Sequence, residues 1–262
     1  VAVLETGFHQ SVPDYAYDFG VPRSWMEKHR IRRYGFHGAS HRWVSERVPK
    51  ILKRPSKDLK IISCHLGGSS SLTAIKEGKS IDTSMGVSTQ YGVLQSTRVG
   101  DLDPFSVLYV MAQEGWSLAE ITRQLMEDSG LKGISGISGD MRDLESAADN
   151  GNDKARLAIQ AYCYGVKKYI GAYTAALGSA GMDNERNCII ALIENTLPPA
   201  TTVQLVKTEI TPDKSGGKTI SSKTVKLFNL IINWIDRGGE AHDIKYSFDP
   251  GACVNRDACA CS

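Results

Sequence analysis

The chain has 262 residues, 41% of them hydrophobic, enough to bury one large core or two smaller ones. Lysine and arginine total 31 against 29 aspartates and glutamates, so overall charge argues against nucleic acid and against an anionic membrane as partners. No secretory leader and no bilayer-length apolar run is read, and six thinly spread cysteines fit a reducing cytoplasm.

Taken in chain order, "VAVLE" at 1–5 predicts a buried strand, followed by a polar loop that meets Pro13. Residues 17–31 are turn-rich with a short helix. From Ser40 the pattern S-x-x-V-S-E-R-V predicts a helix with Ser40 near its N-cap. "LKIISC" at 59–64 is a strand of the fully buried kind, "HLGGSSS" at 65–71 a loop, and 72–75 a returning strand. "KEGK" at 76–79 is a tight turn, and "SID" at 80–82 begins a third strand.

The second half is helical. Asp103-Pro104 supplies an N-cap and a proline at the first helical position. Ser117 and Glu120 form a capping box, with Gly130 as the stop of that helix. "SGISGDMRDLESAA" is a glycine-broken loop running into a helix. Residues 153–178 form a long helix with Leu157, Ala161, Tyr162, Val166, Tyr169, Ile170 and Tyr173 at core spacing. Beyond Gly181 the texture changes: 201–223 reads as strands and polar turns, and 224–239 as an ambiguous apolar segment. Cys64 and Cys163 lie in apolar runs and read as small hydrophobes. Cys253, Cys259 and Cys261 lack the paired spacing of a zinc ribbon and lie in what reads as a disordered tail.

Chemistry concentrates in two stretches. In "SCHLGGSSSLTAI" a strand leads into glycines and hydroxyls and then into another strand. Glycines let a backbone approach an anion and present bare N–H groups, and serines add donors. No lysine follows and no helix begins there, so this is not a Walker loop. A phosphate cradle and a serine-rich hairpin turn fit it equally well. "IRRYGFHGASHRWVSERV" at 31–48 sets Arg32, Arg33, His37 and His41 together. Gly38 interrupts the helix that a His37/His41 metal pair would need.

"RRYGFHGASH", "CHLGGSSS", "GKSIDTSMG" and "STRVGDLDP" occur in that order. Together they closely resemble the acetate kinase family, ATP-dependent kinases that form acyl phosphates, from Val1 to about Gly181. The resemblance implies an α/β fold of the actin-like ATPase superfamily, related to hexokinase and Hsp70. It implies that residues 1–57 end a first, acyl-substrate domain and 58–181 form a second, nucleotide-binding domain, with 182–262 divergent. It implies reversible phosphoryl transfer from ATP to acetate, with Mg2+ as cofactor, small-molecule substrates and a homodimer. The family places at His37 and Arg98 the groups that stabilise charge on the phosphoryl in flight. Arginine suits that task because its guanidinium stays charged and forks onto oxyanions. Phe36 matches a residue lining the acetate methyl pocket, and His41 reads as a structural neighbour of His37. His65, Leu66, Gly67, Gly68 and Ser69 match the β-phosphate loop, and Asp140, Met141 and Arg142 a nucleotide-contacting D-x-R. Asp140 also suits a helix N-cap. Asp101 and Asp103 flank Arg98 and are candidates to orient it, Asp103 also as a cap.

The sequence departs from the family pattern at several points. Glu5 stands where the family has a catalytic aspartate; the added methylene moves its charge by about 1 Å, a displacement that can cost on the order of 100-fold in rate. Glu5 also reads as a strand-end surface residue. Gly68 replaces an asparagine donor. The motif N-x-G-S-S-S-x-K and a substrate arginine, expected upstream of Val1, have no counterpart, and neither do the family's magnesium ligands. Only Glu194-Asn195 in "IIALIENT" at 189–196 echoes the adenosine loop F-T-G-G-I-G-E-N. Two other readings therefore stand beside acetate kinase: an inactive fragment of one, and a kinase for propionate or butyrate.

Overall fold

The computed structural model describes residues 4–178, and the backbone alone of two strands at 188–194 and 202–207. Five strands form one sheet in the order β3-β2-β1-β4-β5. β1 (Lys60–Leu66), β2 (Ser70–Lys76) and β3 (Lys79–Thr83) are an antiparallel meander. β4 (Cys188–Glu194) runs parallel to β1, and β5 (Thr202–Lys207) closes antiparallel on β4. β4 covers "IIALIE", where the sequence offered only a partial adenosine-loop match. Its run of β-branched residues was the available signal. Asn195, Thr196, the 224–239 segment and the cysteine-rich tail lie outside the described residues.

Because side chains alternate along a strand, the β1–β2 hairpin has two different faces. One carries Ile62, Cys64, Leu72 and Ala74, packed with α8 (Asp153–Ala176) through Ala158, Ile159, Tyr162 and Val166. The other carries the register pairs Ile61–Ile75, Ser63–Thr73 and His65–Ser71, all buried. Ile61 and Ile75 pack there on Val44 and Val48 of α3 (Gly38–Leu52), each full burial being worth about 1.5–3 kcal/mol. That face thus grades from apolar at one end to serine and histidine at the other. The remaining helices are α1 (Asp14–Tyr17), α2 (Arg23–His29), α4 (Pro104–Glu114), α5 (Leu118–Glu127), α6 (Gly130–Ser135) and α7 (Met141–Asp149).

Local signals placed most helix ends. Asp103 accepts from Phe105 N–H at 3.0 Å and Ser117 from Glu120 N–H at 3.2 Å. Several expectations need correction. Leu4 and Glu5 lie outside any strand and lead into a 3-10 turn at Gly7–Ser11, where Gly7 N–H donates to Leu4 O and His9 N–H to Thr6 O instead of to a ladder. Helix α3 begins at Gly38, not at Ser40, with His37 as its N-cap. Gly130 starts α6 instead of ending α5, which stops at Glu127. Leu157 is 55% exposed, because the buried stripe of α8 runs through Ala155, Ala158, Ile159, Tyr162, Cys163 and Val166.

Candidate active site

His37 holds a left-handed backbone, φ 56° and ψ 28°, at the point where the chain turns into α3. A β-carbon makes that conformation costly by about 1–3 kcal/mol, and such strain concentrates where a side chain must be aimed. Gly38 follows because its N–H donates to Glu5 O at 2.8 Å, and a β-carbon there would stand 2.2 Å from that same oxygen. The turn thus projects His37 over the polar end of the sheet face. Its ring stacks on His65 at 4.0 Å between centroids and 17° between planes.

Below that stack lies a file of hydrogen bonds. Ser71 Oγ is 2.8 Å from His37 Nδ1 and 2.8 Å from His41 Nε2, and His41 Nδ1 is 2.8 Å from Ser63 Oγ. Ser40 Oγ is 3.0 Å from His65 Nδ1. His9 completes the group: Nε2 donates to Phe36 O at 3.0 Å, so Nδ1 accepts from Ser80 Oγ at 3.0 Å. Burial lowers the pKa of all four histidines. His37 is lowered to about 4, by desolvation first and then by His65, Arg98 and His9 nearby. At neutral pH its ring is therefore uncharged.

Arg98 comes from the segment between β3 and α4. Its Nη1 donates to Ser69 Oγ at 2.9 Å and to Gln95 Oε1 at 3.3 Å. Gln95 is fully buried, accepts also from Ser70 N–H at 3.2 Å and donates to Thr89 O at 2.7 Å. It ties the arginine loop to the start of β2. Gly130 makes the crossing possible: at φ +63° a β-carbon would stand 2.2 Å from Gln95 O and 2.8 Å from Arg98 O. Asp101 and Asp103, expected beside Arg98, serve elsewhere. Asp101 accepts from Gly92 N–H and Tyr169 OH, and Asp103 caps α4, because the turn at Gly100 carries both away.

The tip between β1 and β2 is Gly67–Gly68–Ser69. Gly68 O accepts from Ser96 N–H at 3.2 Å, and Ser70 Oγ donates to Gly67 O at 2.8 Å and meets Tyr162 OH at 2.9 Å. Gly68 itself is exposed and Leu66 half-buried. Asp140 caps α7, accepting from Arg142 N–H at 2.9 Å and pairing with the Arg142 guanidinium at 2.5 Å, which lowers its carboxyl pKa to about 2. Met141 is half-buried against the α8 core. Phe36 is half-buried, its carbonyl held by His9. Glu5 is exposed; its carboxylate makes no hydrogen bond or ion pair among the described residues, and its link to the site is its backbone carbonyl. Among the described residues no three His, Cys, Asp or Glu side chains are grouped so as to hold a metal ion by themselves. Sequence reasoning missed Ser63, Ser71, His9 and Gln95. Each is a polar residue inside a buried strand or loop, and only the period-2 alternation of β1 and β2 could have flagged the serines.

The Acetokinase family profile matches residues 1–184. This chain belongs to the acetokinase family. The acetokinase chain is 52% identical over 178 residues to the acetate kinase of Caldicellulosiruptor saccharolyticus, covering 68% of this chain and 45% of that protein. It is 53% identical over 179 residues to the acetate kinase of Caldanaerobacter subterraneus, with the same coverages of 68% and 45%. Among solved structures it superposes on Porphyromonas gingivalis acetate kinase with TM-score 0.65 and 43% identity, covering 66% of this chain and 44% of that one. A Francisella tularensis propionate kinase gives TM-score 0.64 and 42% identity, covering 67% and 45%. The chain thus spans about 45% of the length of the curated relatives it matches. The expected α/β, actin-like fold stands for the portion present.

Proposed function

We propose that this chain carries part of the site of an ATP-dependent kinase that phosphorylates acetate, giving acetyl phosphate and ADP, and that runs in reverse. The observation that carries the reading is that Arg98 and His37 bond to one short segment at positions two residues apart. Arg98 binds Ser69 and His37 binds Ser71, so both side chains reach the mouth of the glycine–serine hairpin. In the transfer a carboxylate oxygen bonds to the γ-phosphorus while the bond from that phosphorus to the β-bridging oxygen breaks and ADP leaves. Charge spreads over three equatorial oxygens between them. Arg98 would meet that charge with a fixed cation, and His37 with an N–H from an uncharged ring.

The remaining roles follow the same reading. Gly67, Gly68 and Ser69, flanked by His65 and Leu66, would turn backbone N–H groups toward the β-phosphate. Asp140, Met141 and Arg142 open α7 and would lie along the nucleotide. Phe36 would bound the methyl end of the carboxylate, and Glu5 would face the transferring group. Residues 1–57 would close a first domain and 58–181 form the second. Mg2+ would arrive with ATP, held by groups other than the described ones. A homodimer in the cytoplasm is the assembly and setting proposed; among the described residues no helix is long and apolar enough to cross a membrane.

Purified chain, Mg-ATP, acetate and hydroxylamine test this directly. Acyl hydroxamate is expected, in greater yield from acetate than from propionate or butyrate. ATP binding without hydroxamate would replace the proposal with that of an inactive nucleotide-binding fragment.

A further inference from the structure

We infer that the buried file Ser63–His41–Ser71 sets the tautomer of His37, so that its outward nitrogen, Nε2, carries the hydrogen. Ser63, His41 and Ser71 are then positioning residues for the transfer proposed above, on which the catalytic part of this inference rests.

Ser71 Oγ owns one hydrogen and touches two ring nitrogens, His37 Nδ1 and His41 Nε2, each at 2.8 Å. Both rings are uncharged at neutral pH, since burial lowers both pKa values, so each owns one N–H. A hydrogen reaches every contact if His41 Nε2–H and His37 Nδ1–H both donate to Ser71 Oγ, but the hydroxyl hydrogen of Ser71, which has no exposed surface, is then left without an acceptor among the described residues. Two arrangements keep that hydrogen in the file. In the first, Ser63 donates to His41 Nδ1, His41 Nε2–H to Ser71, and Ser71 to His37 Nδ1, leaving Nε2–H of His37 pointing out. In the second every bond is reversed, and His37 turns a bare lone pair outward.

Ser63 decides between them. It lies inside β1 with no exposed surface, and among the described residues its hydroxyl has one hydrogen-bond partner, His41 Nδ1, at 2.8 Å. In the reversed file His41 Nδ1–H occupies that contact, and the buried Ser63 hydroxyl hydrogen has no acceptor among the described residues. An orphaned buried donor is unfavourable, whereas the forward file satisfies every group. Aligned bonds in a dry interior also polarise one another, which strengthens the outermost donor. A lone pair facing phosphate oxygens would repel them; an N–H attracts them. The stack of His65 at 4.0 Å and the left-handed turn at His37 keep the ring from swinging out of the file.

The test is nitrogen NMR on the full 262-residue chain with labelled histidine, which reports which ring nitrogen carries hydrogen. His37 and His41 are expected as single Nε2–H tautomers at pH 7; Nδ1–H on either ring would overturn the inference. In Ser71→Ala, His37 is expected to lose its single tautomer and show a resolvable Nδ1–H fraction, and Ser71→Thr, which keeps the hydroxyl, to restore it. A His37 tautomer unmoved by Ser71→Ala would remove Ser71 from its role. Where hydroxamate forms, Ser71→Ala should lower kcat by about 10- to 100-fold with KM for acetate little changed, short of the 100- to 1,000-fold that follows outright loss of a transition-state donor. The spectra stand without turnover, so failure of the kinase proposal and failure of this one are separable.

Discussion

The two faces of the β1–β2 hairpin are built from the same fourteen residues of strand and differ in what they bury. Toward α8 the hairpin presents Ile62, Cys64, Leu72 and Ala74, an apolar surface with one hydroxyl, Ser70, at its outer end. Toward α3 it begins with Ile61 and Ile75 and ends with Ser63, His65 and Ser71. The α8 face therefore supplies cohesion. The α3 face gives up part of that cohesion to hold a polar file in a dry setting, where each group depends on a specific partner.

Damage to the two faces should look different. Leu72→Ala on the α8 face is expected to lose about 2–5 kcal/mol of stability in denaturant titration, while the ring-nitrogen shifts of His37 stay in place. Loss of those shifts in the folded variant would mean the faces are not independent. Acid should act on the α3 face. A histidine with a lowered pKa takes up its proton in the unfolded chain, near 6.5, before it does so in the fold, so stability is present above that value and lost as pH falls. For His37 the loss runs from about pH 6.5 down through about 4 and amounts to about 2 kcal/mol once solvent at its outer edge is allowed for. Unfolding midpoints in denaturant at stepped pH measure it, and a flat profile between 7 and 4 would contradict a buried neutral file. Glu5→Gln touches neither face. Its effect on stability should stay within about 0.5 kcal/mol, since the anchoring contact is the Glu5 carbonyl, which the substitution keeps. A larger loss would show that the carboxylate is already engaged in the fold.

Much of the fold was readable because its signals are local. "LKIISC", "KEGK" and "SID" announce the meander, Asp103-Pro104 and Ser117-x-x-Glu120 mark helix starts, and 153–178 differs from α8 only at its end. The opening strand does not reach Leu4 and Glu5, while residues 1–3 lie outside the described residues, and the sequence cannot state which strand a segment will meet. Asp103 caps α4 as its place before Pro104 announced, whereas Asp101 failed as a companion of Arg98 because nearness along the chain says nothing once Gly100 turns.

By itself, then, the sequence determined the elements, the alternation that gives the hairpin two faces, and the ordered motifs that point to the family, since all of these are written in local spacing. The tertiary structure alone decided that Ser63 and Ser71, two serines among many, enclose His41 and reach His37. That assembly depends on α3 crossing one face of a sheet in a single register, and a shift of one residue would turn every one of those hydroxyls to the other side.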